Sequence, residues 1–129
     1  MVSRRSLLAL SFALTLAAAS GAQAFQFRES DSAAVKTAIA AGKPVVLHVY
    51  APWCLQCRVQ HGVLADLKED PAYKSVIVFN VDYDGQKDAV SALNTPRATL
   101  ISYRGGKEVA RMSWEMSEAA VRKSLAAAL

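Results

Sequence analysis

Cys54 and Cys57 are the only cysteines of this chain, and they stand three apart in Trp53-Cys54-Leu55-Gln56-Cys57. On a helix, residues i and i+3 have Cβ atoms about 5–6 Å apart, so a small adjustment brings the Cα atoms within the roughly 4.4–6.8 Å that a disulfide needs. One backbone can then hold both dithiol and disulfide, as a reversible redox switch requires. The pair is poorly suited to be a staple, because closing so short a loop restricts the unfolded chain very little. Metal binding is the other chemistry open to these residues, since His48 and His61 complete a nominal Cys₂His₂ set. Zinc sites pair their ligands with recognisable spacing on each side, and these two histidines form no such pair; no metal is expected. His61 lies i+4 from Cys57 and i+7 from Cys54, on the same helical face, and reads first as a solvated helix residue.

The elements that must position the cysteines are legible in the apolar pattern. Residues 45–50, Val-Val-Leu-His-Val-Tyr, are β-branched or aromatic without alternation, as in a central strand covered on both faces. Pro52-Trp53 punctuates that strand, and residues 54–69 carry Val59, Val63, Leu64 and Leu67 at helical spacing until Asp70-Pro71 ends the run. Cys54 therefore falls at a helix N-terminus. Free backbone N–H groups and the positive end of the helix dipole favour a thiolate there, drawing a thiol from about 8.5 toward roughly 3.5–7.5. This makes Cys54 the attacking sulfur and the more exposed of the two, while Cys57, one turn further in, is the resolving thiol.

Around this centre, a first helix is expected over 33–41, capped by Ser30-Asp31 and stopped by Gly42. A second buried strand follows over 76–81 and a short helix over 87–93. Strands over 98–103 and 107–112 flank Gly105-Gly106, a hairpin signal, and Ser117 caps a last helix running to about 128. The class is α/β in one domain: a sheet with parallel crossovers to which the hairpin adds an antiparallel edge strand.

With its Trp-Cys-x-x-Cys motif at a strand-to-helix junction, the chain resembles the thioredoxin superfamily. The likeness runs through 44–58, P-V-V-L-H-V-Y-A-P-W-C-L-Q-C-R, through Val81-Asp82 at the end of the next strand, and through the hairpin from Thr99 to Lys107. It implies a thioredoxin-like fold, a central mixed sheet with a terminal antiparallel hairpin flanked by helices. The activity implied is that of a thiol-disulfide oxidoreductase needing no diffusible cofactor. Cys54 would be its nucleophile, Cys57 the resolving thiol and Trp53 a shield shaping the approach; Trp53, Pro52, Arg97, Ala98 and Thr99 would meet the substrate. Partners would be protein disulfides or thiols, with a membrane or soluble redox partner to recycle the cysteines, and a monomer is expected. A non-catalytic metal-carrying or partner-binding module on the same scaffold is the competing class, since fold alone does not give function.

Three positions depart from the family pattern. His48 stands where thioredoxins hold a buried acid beneath the cysteines; an imidazole there can do general-base work, or be a core histidine satisfied by a neighbour, and a positive charge on it would favour the thiolate at acid pH. Leu55-Gln56 between the cysteines matches neither the Gly-Pro of thioredoxins nor the Pro-His of strong oxidases, in a family whose potentials span roughly −120 to −270 mV. Ala98 occupies the usual cis-proline position. Since a non-proline cis bond costs about 2.5–4 kcal/mol, the Arg97–Ala98 bond is expected to be trans, opening space beside the sulfurs and weakening the engagement of unfolded substrates.

The remaining features are less specific. Met112, Trp114 and Met116 read as edge packing, and Asp82 with Asp84 as half of a calcium loop whose other ligands are missing. Residues 1–24 read as a signal peptide: Arg4-Arg5, an apolar run over 7–19, and Ala22-Gln23-Ala24 as cleavage site, with Ser3-Arg4-Arg5 resembling a twin-arginine signal. Residues 25–129 would then be the exported, periplasmic domain, in an oxidising compartment. The formal charge of +4 falls to about +2 without Arg4 and Arg5, and no long basic run remains, so no nucleic-acid partner is expected.

Overall fold

The computed structural model describes residues 26–129, with side chains from Ser30 onward; the signal peptide expected over 1–24 lies outside the described residues. Strands Gln26–Glu29 (β1), Val45–Tyr50 (β2), Ile77–Asp82 (β3), Thr99–Arg104 (β4) and Lys107–Ser113 (β5) form one sheet in the order β1-β3-β2-β4-β5. Helices Ser32–Ala40 (α1), Leu55–Leu67 (α2), Lys87–Leu93 (α3) and Glu118–Ala127 (α4) cover it, and a single 3₁₀ turn, Pro71–Tyr73, follows α2. The α/β class with its mixed sheet and terminal hairpin is as expected, and the anticipated strands and helices are present, with ends shifted by a residue or two.

Two features of the sheet differ from the sequence reading. β1 was not expected; it pairs in parallel with β3, Gln26 opposite Ile77 and Glu29 opposite Asn80. Its tie is to the backbone edge of a neighbouring strand, which leaves little pattern in a four-residue segment. Second, the chain turns over before the hairpin: β4 runs antiparallel to β2, with His48 opposite Leu100, and β5 is antiparallel to β4. Gly105 and Gly106 form the turn at φ 59° and 82°, the left-handed region that a tight hairpin needs and glycine enters without cost.

Each face of the sheet has its own core. Val46, Val78 and Leu100 meet Leu64 and Leu67 of α2 and Val121 and Leu125 of α4. On the other face Val45, Leu47, Phe79 and Ile101 meet Ala38 of α1 and the partly buried Val90 and Leu93 of α3. Because β2 is covered on both sides, its first five residues are all buried. Among the described residues no helix is long and apolar enough to cross a membrane.

Candidate active site

The end of β2 and the start of α2 deliver the cysteines to one edge of the sheet, where Ala51, Cys54, Cys57 and Ala98 make a small separate cluster. Cys54 and Cys57 are joined as a disulfide with Cα atoms 5.3 Å apart. Cys54 is the N-cap of α2, in extended backbone, and its Sγ accepts the Cys57 backbone N–H at 3.2 Å. A sulfur in the place of a capping oxygen faces the unpaired amides of a helix start, the setting that stabilises a thiolate. Cys54 is 2% exposed and Cys57 fully buried, so Cys54 is the outer sulfur, although far more shielded than its place at the helix start alone implies. Cys57 Sγ sits 4.0 Å from the Val49 carbonyl oxygen, which on reduction offers its thiol an acceptor.

Trp53 is 59% exposed beside the disulfide, and its indole N–H donates to Asp84 Oδ2 at 2.6 Å. Asp82 Oδ1 in turn accepts the Asp84 backbone N–H. These two carboxylates therefore brace a loop and a tryptophan. Among the described residues no group of three or more His, Cys, Asp and Glu is placed to hold a metal ion. Pro52 is exposed next to Trp53, and Arg97 is half-buried, its guanidinium carbon 4.7 Å from the Trp53 ring centroid and 5.0 Å from that of Trp114.

Ala98 and Thr99 lie beneath this surface, both fully buried. The Arg97–Ala98 bond is trans, as are all others in the described residues, and Ala98 takes φ 55°. The opening expected beside the sulfurs is absent, because Ala98 packs directly on the cysteines. Its N–H donates to the Val49 carbonyl at 2.9 Å and its carbonyl accepts from Trp114 N–H at 2.8 Å and from Gln60 Nε2 at 3.0 Å. Backbone expected to meet an added substrate strand is thus engaged internally. Thr99 Oγ1 is likewise occupied, by the Pro96 carbonyl and the Ser113 hydroxyl.

Gln60 was not legible as a site residue. It is fully buried and ties three segments together: Nε2 donates to the carbonyls of Ala98 at 3.0 Å and Glu115 at 2.8 Å, and Oε1 faces His48 Nε2 at 3.1 Å. With both amide hydrogens spent on carbonyls, only the oxygen can meet His48. Nε2 of His48 therefore carries the ring hydrogen, and Nδ1 is bare. The sequence signal was a polar residue one turn beyond Cys57 on the buried face of α2; what it could bond was not visible. His61 is half-buried rather than solvated, its ring stacked on His48 at 6.2 Å and beside Tyr50 at 5.6 Å. A groove of about 390 Å³ lined by Tyr50, Pro52, His61, Asn80 and Asp84 leads solvent to this side. Met112 packs on the core, but Trp114 and Met116 are exposed, at 42% and 43%, and so depart from the edge packing expected of them.

Burial lowers the pKa of His48 to about 4, with the neighbouring His61 acting in the same direction and the Gln60 hydrogen bond opposing. His48 is thus neutral at physiological pH, which confines any charge it lends a thiolate to the strongly acid range. The unfolded imidazole protonates near 6.5, so as pH falls the unfolded chain takes up the proton first. This contribution to stability is whole above about 6.5 and is lost between there and about 4. Between pH 7 and 4.5, denaturant unfolding of the oxidised protein should lose roughly 2–3 kcal/mol more than His48→Phe loses; parallel pH profiles would refute the assignment.

Residues 26–127 match the thioredoxin family model. Thioredoxin-1 of Saccharomyces cerevisiae is 32% identical over 96 residues, 70% of this chain and 86% of the yeast protein. The crystal structure of Trxlp from Edwardsiella tarda EIB202 superposes with a TM-score of 0.73 at 38% identity, covering 78% of this chain and 98% of that one. Thiol:disulfide interchange protein DsbE of Pseudomonas fluorescens biotype C is 43% identical over 42 residues, 33% of this chain but only 21% of the length of that relative. A family match over nearly all the described residues, together with a capping cysteine joined to its partner one turn on, places this chain in the thioredoxin family.

Proposed function

We propose that the chain is an exported, periplasmic thiol-disulfide oxidoreductase that acts on protein or small-molecule disulfides as a monomer. The observation that carries this reading is Cys54 at the N-cap of α2, with its sulfur on the Cys57 amide and its partner sulfur buried behind it. In the reducing direction the Cys54 thiolate attacks one sulfur of a substrate disulfide, and the substrate's other sulfur leaves as a thiolate. Cys57, deprotonated, then attacks Cys54 Sγ, releases the second substrate thiolate and closes the Cys54–Cys57 disulfide. Two electrons pass to the substrate, whose thiolates take up two protons; the oxidising direction is the reverse. No diffusible cofactor enters, and a membrane or soluble redox partner returns the cysteines to their starting state.

Trp53, Pro52 and Arg97 form the surface that the substrate meets, and Ala98 and Thr99 hold that surface from below. His48, neutral and with a bare Nδ1, is the buried base of the site. Export rests on the leader pattern over 1–24, and the DsbE relative, a thiol:disulfide interchange protein, supports the exchange chemistry over the segment matched. The test is insulin reduction by residues 25–129 with dithiothreitol as electron source, together with the Cys54–Cys57 potential measured against glutathione. Turnover is expected, and a potential near about −270 mV marks a reductase, one near −120 mV an oxidant. A protein that binds thiols or metal without accelerating insulin reduction is the carrier or docking module instead.

A further inference from the structure

Beside the disulfide the chain holds a cation in an unusual setting. The Arg97 guanidinium lies over two indoles, 4.7 Å from the Trp53 centroid and 5.0 Å from that of Trp114. The Trp53 indole is held by its N–H to Asp84, and the Trp114 backbone N–H donates to the Ala98 carbonyl. Two residues here take left-handed backbone, Ala98 at φ 55° and Trp114 at φ 69°. Such conformations persist only where the surroundings impose them, and they gather at functional sites. Yet among the described residues Arg97 joins none of the ion pairs, which involve Arg111 and Arg122, and its Nε is buried without a hydrogen-bond partner.

A guanidinium over aromatic rings keeps a planar fork of N–H donors whose geometry matches a carboxylate. Leu55, next to Cys54, and Met116, two residues beyond Trp114, are exposed apolar side chains, at 66% and 43%. We infer that Arg97, held over the Trp53 and Trp114 rings beside the disulfide, is a specificity-determining residue that selects peptide and protein substrates carrying an Asp or Glu beside the reacting cysteine. This rests on the oxidoreductase reading above and names its substrate class.

The experiment uses two disulfide peptides that differ only in Asp or Asn next to the cysteine. For the wild-type protein at low salt, kcat/KM should favour the Asp peptide about tenfold. Arg97→Met should bring the ratio near one, and Arg97→Lys, which keeps charge without the fork, should hold an intermediate value. Tryptophan fluorescence titrations with the S-methylated peptides read the same preference without turnover. If the Asp peptide binds better while neither is turned over, the inference stands and the redox reading falls. Equal binding of the two peptides by wild type, or a preference that survives in Arg97→Met, overturns it.

Discussion

Serine at position 54 is expected to abolish disulfide exchange, and serine at position 57 to arrest it one step later. The two cysteines differ in what surrounds them. Cys54 Sγ sits on the Cys57 amide at the start of α2, where an anion is stabilised, and Cys54 is the less completely buried of the two residues. An alcohol there is a far poorer nucleophile at neutral pH, and removing a covalent nucleophile costs on the order of 10³-fold or more. Cys57, buried near the Val49 carbonyl, cannot replace it. Without Cys57 the first exchange still proceeds, but nothing attacks the mixed disulfide. Mass spectrometry of Cys57→Ser with a disulfide substrate should find the adduct on Cys54, and iodoacetamide at pH 6 should label Cys54 first in the reduced wild type. Preferential labelling of Cys57, or turnover by Cys54→Ser above a few per cent, contradicts the assignment.

The second large effect is on stability and comes from a residue that makes no covalent chemistry. Gln60→Leu should destabilise the protein by about 2–4 kcal/mol, a large part of the roughly 5–15 kcal/mol typical of a domain. Leucine fills much of the same volume, so the loss is polar rather than a cavity. His48 Nε2–H is left buried with no acceptor, while the Ala98 carbonyl keeps the Trp114 N–H and the carbonyl of the exposed Glu115 loses a donor. Unsatisfied buried groups cost about 1–3 kcal/mol apiece. Gln60→Glu separates this account from simple loss of packing. A carboxylate at 60 faces two carbonyl oxygens, so its pKa is raised in the folded state, and destabilisation should grow as pH rises from 4 through 7. A Gln60→Leu loss under 1 kcal/mol, or a Gln60→Glu penalty independent of pH, would show that the three bonds contribute little.

Much of the fold was legible because its signals are local. Residues 45–50 are apolar on both faces and make the central strand; Gly42, Asp70-Pro71 and Gly105-Gly106 stop or turn the chain where the described elements end. The strand-to-helix junction at Trp53-Cys54 followed from the change of period. β1 was hidden because a four-residue edge strand is held by the backbone of β3, and the reversal of β4 against β2 was hidden because strand direction is set by the path of the intervening chain.

The site divides in the same way. Cys54 and Cys57 are three residues apart, so helix geometry alone brings them within reach of one bond, and their order along the helix decides which sulfur faces the dipole. By itself the sequence determined the cysteine pair, its place at the start of a helix and the strand and helix that present it. Only the tertiary structure decided that Gln60 meets carbonyls 38 and 55 residues away, that Arg97 lies over the rings of Trp53 and Trp114, and that burial keeps His48 neutral. Those properties come from the neighbours that the fold supplies, and a residue's type and local spacing carry no record of groups brought beside it from distant parts of the chain.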